Sequence, residues 1–328
     1  MIHCSRIGAL ARLNGLAGSI LVSLSAFAAA DSVDLIFDWP AGTSALVTLE
    51  STRSRGPVGR VTKHTVSGTY RLVVSESGDG RMIGFEDGRL VSSLGSLDGA
   101  EKNIHAMMVE AMANPAGFEI TPTGRCVRLA DVSKLKESIQ EMLDSFSSEL
   151  TPDARIHFSK MFEQMTNSEV LLNGAVEQWH RDVGFWSGAQ LDVGDWYEMD
   201  YTNRVSILDD HPLPMKKKFR VVERIPCSEG DSTSDCVRIE LSSEAGTAEL
   251  RQVFSKVIQE IAEKTKTNPE IRKLSFEQNT VIITEPATLR PHKIETTKSS
   301  TILMTVAGRE QNSIKSERTR RAFFWSVP

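Results

Sequence analysis

The stretch Thr65–Ser75 constrains the fold most strongly, because apolar and polar side chains alternate along it with a period of two. This alternation is typical of a strand in an antiparallel sheet that buries one face and exposes the other. The turn-forming sequence Ser77–Gly80 follows and predicts a hairpin with the next apolar run, Met82–Phe85. Asp87-Gly88 predicts a further hairpin turn. The predicted buried face of the first strand consists of Val66, Gly68, Tyr70, Leu72 and Val74.

Segments with helical spacing of apolar residues lie between such strand patterns. In Leu250–Ile261 the apolar residues follow the i, i+3, i+4, i+7 spacing without a break. Strand patterns resume near Trp196 and again after Lys273. We therefore predict an α+β protein with a curved, mostly antiparallel, half-barrel-like sheet and several packed helices. Further helices are predicted over residues 104–112, 135–146 and 158–165.

Residues 1–28 have the organisation of a secretory signal peptide. Arg6 and Arg12 provide a positively charged start, and Ala26-Phe27-Ala28 has the small-x-small form of a cleavage site. The apolar stretch between them is shorter than the roughly 20 residues that span a bilayer, which favours a cleaved signal over a membrane anchor. We predict a periplasmic or secreted protein, cleaved after Ala28 or Ala30, with no transmembrane span in its mature form.

The mature chain, residues 29–328, is predicted to form a single α+β domain, because a chain of this size can build one large core. An order of strands, helix and strands nevertheless occurs both before and after residue 190. Two similar halves, 29–190 and 191–328, are therefore the alternative organisation.

The cysteines of the mature chain divide into a pair and a single residue. Cys227 and Cys236 flank a polar, turn-rich segment between two strand patterns, and an oxidising compartment favours a disulfide between them. Metal binding by the pair is less favoured, because no histidine lies near it in the sequence. Cys126 is expected to be buried and unreactive, with a reactive or intermolecular thiol as the alternative.

The charge balance argues against nucleic acid as a partner. The formal net charge is −5, and the predicted signal peptide contains arginines but no acid, so the mature form is more acidic still. Binding to phosphate backbones requires a basic surface. Two local basic clusters, Lys216–Lys218 and the arginines at positions 318, 320 and 321, are expected to be solvated strand faces. Contact with an anionic lipid or with peptidoglycan is the alternative for them.

No arrangement of residues points to a reaction. Neither a Gly-x-Ser-x-Gly elbow nor a phosphate-binding glycine loop occurs, and the histidines lie singly along the chain. We predict no catalytic residue, no metal site and no cofactor, and hence a non-enzymatic protein; a hydrolase has the least support. The histidines of the predicted mature chain are His64, His105, His157, His180, His211 and His292.

Three short motifs, Thr121–Gly124, Asp192–Trp196 and Thr284–Pro291, resemble those of a group of uncharacterised secreted bacterial envelope domains. The order of elements resembles that of bacterial envelope proteins of the lipoprotein-carrier type, which fold as a curved antiparallel half-barrel around helices. The resemblance implies this fold and the binding of an apolar ligand, and it implies no catalytic residue.

The predicted helices of the middle region are rich in methionine, a flexible side chain that often lines surfaces for varied apolar partners. The leading hypothesis is a binding module for an apolar small molecule, a lipid or a lipidated partner. Plain core packing is the simpler interpretation of the same residues. A structural or assembly protein of the cell envelope, which would act through protein–protein contacts with a partner that the sequence does not identify, is the alternative function. The candidate lining residues are Met107, Met108, Met112, Met142, Phe146, Met161, Phe162 and Met165.

Overall fold

The computed structural model describes residues 31–57, 60–93, 116–130, 168–204, 212–228, 235–265, 270–306 and 309–326, with the single positions 133, 137, 140 and 144. The predicted signal peptide lies outside the described residues. The predicted helix over 104–112 and the one over 158–165 also lie outside them, as does most of the one over 135–146.

The described chain is built mainly from thirteen strands. Two α-helices, α1 (Ser168–Trp179) and α2 (Thr247–Thr265), accompany them, and α1 continues into a π-helical turn at His180–Gly184. The strands are β1 (Ser32–Leu35), β2 (Ser44–Gly56), β3 (Thr62–Ser77), β4 (Gly80–Ser93), β5 (Phe118–Ile120), β6 (Cys126–Leu129), β7 (Ala189–Asp192), β8 (Tyr197–Arg204), β9 (Pro212–Pro226), β10 (Asp235–Ala245), β11 (Glu270–Thr284), β12 (Pro291–Val306) and β13 (Arg309–Ser326).

Eleven of these strands form one antiparallel sheet in the order β6-β5-β4-β3-β2-β13-β12-β11-β10-β9-β8. Each strand pairs with its neighbour in sequence except at the centre, where β2 pairs with β13 and joins the first strands to the last. β1 and β7 form a separate two-stranded antiparallel sheet. None of the helices in the described part of the chain combines the length and apolar character that crossing a membrane requires.

The large sheet must be strongly curved. Phe118 of β5 contacts the ring of Trp179, and Phe219 of β9 contacts the ring of Phe185 only six residues further along, at 5.3 and 5.2 Å between centroids. Eight strand spacings nevertheless separate β5 from β9 in the sheet order. At about 4.8 Å per spacing, a flat sheet would hold them roughly 38 Å apart. One face of the sheet is therefore concave and wraps around a shared core.

This architecture corrects the predicted fold class. The described chain is mostly β, with two helices beside a large antiparallel sheet, rather than α+β with several packed helices. Helical spacing of apolar residues in the middle region favoured the α+β class. Long strands such as β12 and β13, with 16 and 18 residues, set the class instead.

One end of the concave face is closed by an aromatic cluster, which we call the aromatic end: Phe37, Trp39, Phe118, Trp179 and Trp325. The ring of Trp39 lies 5.2 Å from that of Trp179 and 4.8 Å from that of Trp325, centroid to centroid. Phe118 lies 5.3 Å from Trp179. Such edge-on contacts stabilise an apolar cluster beyond the area that they bury.

The three short motifs Thr121–Gly124, Asp192–Trp196 and Thr284–Pro291 form hydrogen bonds through their backbone groups. The indole N–H of Trp179 donates to the carbonyl of Gly124 at 2.6 Å, and that of Trp39 donates to the carbonyl of Thr288 at 3.0 Å. Gly194 donates its N–H to the carbonyl of Val221 at 2.7 Å. Two of the motifs therefore supply carbonyl groups that bind tryptophans of the aromatic end, and the third is hydrogen bonded to β9, so all three roles are structural.

Several local predictions can be checked directly. The strand over Thr65–Ser75 and its turn at Ser77–Gly80 are confirmed by β3 and β4. The hairpin predicted at Asp87-Gly88 is wrong, because β4 continues through both residues. Asp87 instead adopts a positive φ of 54° beside a bulge in the β3–β4 pairing. The helix predicted over Leu250–Ile261 is confirmed by α2.

The predicted disulfide between Cys227 and Cys236 is confirmed, and it joins the end of β9 to the start of β10. Cys126 is a free thiol and is buried. Burial raises the pKa of Cys126 to about 11, so the thiol is protonated at neutral pH and a poor nucleophile.

Candidate ligand-binding cavity

The side chains on the concave face form parallel rows that run across the strands, and each row has a different polarity. Residues paired directly across antiparallel strands share one face of the sheet, so the register defines each row. Nearest the aromatic end is an aliphatic row formed by Val221, Ile239, Ile282 and Ile294 on β9 to β12. All four side chains are buried.

The next row consists of hydroxyl side chains. Thr280, Thr296, Thr319 and Ser51 are successive partners on β11, β12, β13 and β2. The hydroxyls of Thr280 and Thr296 are hydrogen bonded at 3.2 Å, and those of Ser51 and Thr319 at 3.1 Å. These pairs satisfy one another, so this row is polar without being charged.

The third row, which we call the charged row, consists of Lys217, Ser243, Gln278, Lys298 and Glu317. These residues are successive cross-strand partners on β9, β10, β11, β12 and β13. Ser243 is buried, and the other four are partly buried. A continuous row of polar side chains on the inner face of a sheet departs from the usual apolar lining.

A cavity of about 430 Å³ lies directly over the charged row, within the usual size range for small-molecule sites. Its opposite wall comes from the end of α1 and from the π-helical turn, which contribute Glu177, His180 and Arg181. Tyr201 of β8 and Phe276 of β11 add aromatic surface. The cavity is therefore lined mainly by polar and charged side chains, with aromatic surface from two residues.

Two aromatic residues that line the cavity adjoin a second buried cluster. Tyr201 and Phe276 pack against this cluster, which lies beneath α2. Phe254 on α2 packs there as well. Its buried members are Leu213, Met215, Leu250, Val253 and Leu274. The charged row thus has an apolar region on either side of it along the strands.

Lys217 occupies an aromatic setting without a carboxylate partner. Its Nζ lies 4.9 Å from the ring centroid of Phe185 and 4.7 Å from that of Tyr201, distances at which a ring face attracts a cation. Burial lowers the pKa of Lys217. Glu177 opposes this effect, and Arg181 adds to it.

Lys298 lies three strands away in the same row. Burial lowers the pKa of Lys298 as well, and the charge of Arg181 acts in the same direction. The nearby carboxylate of Glu317 opposes the shift. Among the residues that the structure describes, neither Lys217 nor Lys298 forms an ion pair within 4.0 Å. Both ammonium groups are therefore partly desolvated and lack a close anionic partner in the described chain.

The acidic groups at the cavity do not cancel its positive charge. Glu317 is held by Arg53 at 3.1 Å. Besides the two lysines of the row, Arg181 and Lys315 line the cavity, while Glu177 and Glu317 are its lining carboxylates. Burial lowers the pKa of His180, and Lys217 lowers it further, so this imidazole is neutral at neutral pH.

A buried ion pair fixes the wall that faces the row. Arg321 of β13 donates to Asp182 of the π-helical turn at 2.6 Å, and their side chains are only 8% and 6% exposed. Asp182 also accepts from Arg181 at 3.0 Å. These contacts tie the π-helical turn to the sheet and so set the width of the cavity.

The two basic clusters found in the sequence are not uniform solvated faces. Lys216 is exposed and Lys218 pairs with Glu198 at 3.1 Å, but Lys217 points into the cavity. In the other cluster, Arg318 and Arg320 pair with Glu295, and Arg321 is buried. The interpretation as solvated faces is wrong for Lys217 and Arg321.

The methionine-rich lining proposed from the sequence cannot be placed on this cavity. Met107, Met108, Met112, Met142, Phe146, Met161, Phe162 and Met165 all lie outside the described residues. The charged row escaped sequence analysis because its members come from five strands whose register no local pattern reveals. One feature of the sequence pointed to the row. Ile294, Thr296 and Lys298 occupy every second position of β12, so Lys298 lies on the same face of the strand as the buried Ile294.

A second group of potential ligand atoms lies near the disulfide. The sulfurs of Cys227 and Cys236 and a ring nitrogen of His292 lie within 4.8 Å of one another. Strand pairing brings His292 there from a distant part of the sequence. Nε2 of His292 is hydrogen bonded to Glu285 at 2.8 Å. Because the two sulfurs are joined as a disulfide, they do not offer thiolates to a metal ion.

Comparisons with known proteins assign no family. No protein-family model matches the chain, and no curated protein matches it. Lipovitellin, from a structure of its lipid–protein interactions, is 10% identical with a TM-score of 0.43, and the match covers 89% of this chain and 26% of that one. The chain thus spans about a quarter of the lipovitellin chain.

Two bacterial structures are less similar. The β domain of the Bordetella autotransporter BrkA is 8% identical with a TM-score of 0.16, covering 86% of this chain and 100% of that one. The Vibrio cholerae outer membrane protein OmpT without loop L8 is 8% identical with a TM-score of 0.12, covering 86% and 99%. All three identities and TM-scores are too low to assign a function.

Proposed function

We propose that the protein is a non-enzymatic binding protein that holds one amphiphilic small molecule in the cavity over the charged row. The carrying observation is the cavity of about 430 Å³, whose walls combine polar groups with the aromatic surfaces of Tyr201 and Phe276. Its size is within the usual range for a small-molecule site, and its mainly polar lining suits a ligand with a polar or charged group.

The sequence predicts an apolar ligand, and in this proposal the ligand has an apolar group in addition to its polar one. Tyr201 and Phe276 line the cavity and are anchored against the second buried cluster, so a hydrocarbon group can lie against these two rings. Burial of this group supplies the hydrophobic part of the affinity, at about 25 cal/mol for each Å² of apolar surface removed from water.

The alternative of an envelope assembly protein has less structural support. The basic cluster at positions 318, 320 and 321 offers a partner little free charge, because all three arginines are engaged in ion pairs within the chain. The cavity presents groups without such partners, and it is the better candidate for a binding surface.

We further infer that the protein acts outside the cytoplasm, as a periplasmic or secreted protein, after removal of residues 1–28. The disulfide between Cys227 and Cys236 supports this inference, because disulfides persist mainly in oxidising compartments. We also infer that residues 29–328 act as one domain, since the β2–β13 pairing joins strands from both halves of the chain in one sheet.

Native mass spectrometry of protein purified from its own cells tests this function. We expect a bound small molecule that solvent extraction releases, and we expect the extracted protein to bind a fluorescent fatty-acid probe. Recovery of clean protein that also binds no probe would contradict the proposal.

A pair of adjacent variants localises the binding. Ser243→Phe should abolish binding of the probe, because Ser243 is buried and lines the cavity, where a phenyl ring takes up the ligand's space. Ser242→Phe is the matched control, because neighbouring residues of β10 point to opposite faces. Equal loss in both variants would show that the probe binds elsewhere.

A further inference from the structure

We infer that the bound molecule carries one anionic head, a carboxylate or a phosphate monoester, which binds between Lys217 and Lys298 on the charged row. This inference rests on the proposed function and names the chemistry of the ligand for the same cavity.

The row places two cations on either side of neutral hydrogen-bonding groups. Lys217 and Lys298 are separated by Ser243 and Gln278 in the register of β9 to β12. Three strand spacings amount to about 14 Å between the backbones, and the long lysine side chains can converge on a head group between them. The hydroxyl of Ser243 and the amide of Gln278 can donate further hydrogen bonds to its oxygens.

Without a ligand, the two ammonium groups reduce the stability of the folded protein. Both are partly withdrawn from water, and neither has an ion-pair partner among the described residues. A charged group in such a setting is destabilised unless an opposite charge is brought to it. An anionic ligand supplies that charge, and its hydrogen bonds to ammonium groups are stronger than those between neutral partners.

The acids at the site limit the charge of the ligand. Glu317 is the direct cross-strand partner of Lys298, and Glu177 lines the opposite wall. Their carboxylates repel a ligand with several negative charges, because like charges brought close together in a poorly hydrated site are unfavourable. The site therefore favours a head of low charge over a polyanion.

The rest of the ligand follows from the geometry of the cavity. The aromatic surfaces of Tyr201 and Phe276 line it together with the row, and both rings are anchored against the apolar cluster beneath α2. The arrangement fits an acid with a hydrocarbon chain, whose head lies on the row and whose chain lies against these rings.

Titration with a matched pair of fluorescent probes tests the inference: dansyl-labelled undecanoic acid and its methyl ester, which differ in the charge of the head. We expect the acid to bind the wild-type protein at least about tenfold more tightly than the ester, the factor that one charge-assisted hydrogen bond provides. Competition by unlabelled undecanoic acid and by undecyl phosphate then shows whether a carboxylate or a phosphate is preferred.

Variants locate the head group. Lys217→Met and Lys298→Met should each weaken binding of the acid about tenfold and leave binding of the ester unchanged, whereas Lys298→Arg should retain most of the affinity for the acid. Lys216→Met and Lys293→Met remove the same charge from exposed positions and should have little effect.

The outcomes separate the two proposals. If the acid and the ester bind equally well and the lysine variants have no effect, the protein still binds amphiphiles but the anionic head is wrong. If neither probe binds and native mass spectrometry shows no bound molecule, both proposals are wrong. Equal loss of both probes in the lysine variants would also overturn the inference, because it would show a general loss of the cavity.

Discussion

The aromatic end and the charged row lie on the same concave face and handle their polar groups in opposite ways. At the aromatic end, the indole N–H groups of Trp39, Trp179 and Trp325 each donate to a backbone carbonyl at 2.6 to 3.0 Å. On the charged row, the ammonium groups of Lys217 and Lys298 are partly buried and form no ion pair with a described residue. The polar groups of the aromatic end are hydrogen bonded within the chain, whereas the ammonium groups of the charged row have no anionic partner within 4.0 Å among the described residues.

This difference indicates where stability and function reside. Buried groups that satisfy one another stabilise a fold, and charges that are kept half-buried without a partner are retained at a cost to stability. Perturbed titratable groups in a cavity are accordingly associated with functional sites. The comparison therefore predicts large effects on stability at the aromatic end and effects on ligand binding at the charged row.

The largest effect is expected for Trp39→Ala. Trp39 is 2% exposed and contacts three other aromatic rings, so its removal should reduce the free energy of unfolding by about 3–5 kcal/mol. Denaturant titration followed by circular dichroism measures this change. Trp196→Ala is the matched control, because Trp196 is 52% exposed, and should cost below about 1 kcal/mol. Similar values for both variants would remove the distinction between the aromatic end and the surface.

A smaller loss is expected when the wall of the cavity is released. Arg321→Met leaves the buried carboxylate of Asp182 without its closest partner and should cost about 3 kcal/mol. Adding Asp182→Leu should recover most of this loss, because the uncompensated charge is then gone.

An exposed arginine on the same strand provides the control for this prediction. Arg318→Met removes a pair with Glu295 at the surface and should cost below about 1 kcal/mol. If Arg321→Met cost no more than Arg318→Met, the buried pair would not be what holds the π-helical turn to the sheet.

The smallest effect is a dependence of stability on pH. Burial lowers the pKa of Lys217 and Lys298 below the ordinary value of 10.5, so the unfolded chain keeps these protons to higher pH than the folded one. Stability without ligand should therefore increase as pH rises from the folded pKa towards 10.5. Lys298→Met should equal or exceed the wild type in stability near neutral pH and lose this advantage as pH rises.

Unfolding free energies measured at neutral and alkaline pH, with Lys293→Met as the control, check the sign of this effect. Lys293 is exposed, so its removal should leave the pH dependence of stability unchanged. A clear loss of stability in Lys298→Met at neutral pH would mean that this lysine has a stabilising partner, which would contradict the interpretation of the charged row.

The sequence revealed features that depend on neighbouring residues. The alternation over Thr65–Ser75 gave a strand, the spacing over Leu250–Ile261 gave a helix, and the turn-rich loop gave the disulfide between Cys227 and Cys236. Each of these rests on a local period or a short loop, which the sequence shows directly. The predicted fold class was wrong, because long strands in one eleven-stranded sheet, rather than packed helices, make up most of the described chain.

The charged row could not be found in this way. Lys217 and Lys298 are 81 positions apart, and they share a face only because four strands pair in one register. Lys217 also lies between Lys216 and Lys218, where a run of like charges suggested a solvated strand. Lys217 differs from Lys216 and Lys218 only in the face of the sheet that it occupies, because successive residues of a strand point to opposite faces.

A crystal structure of the protein with dansyl-labelled undecanoic acid would show where the head group binds. We predict that the carboxylate lies within hydrogen-bond distance of Nζ of both Lys217 and Lys298, with the hydrocarbon chain against Tyr201 and Phe276. A carboxylate that points to solvent, or a probe bound outside the cavity, would contradict the account.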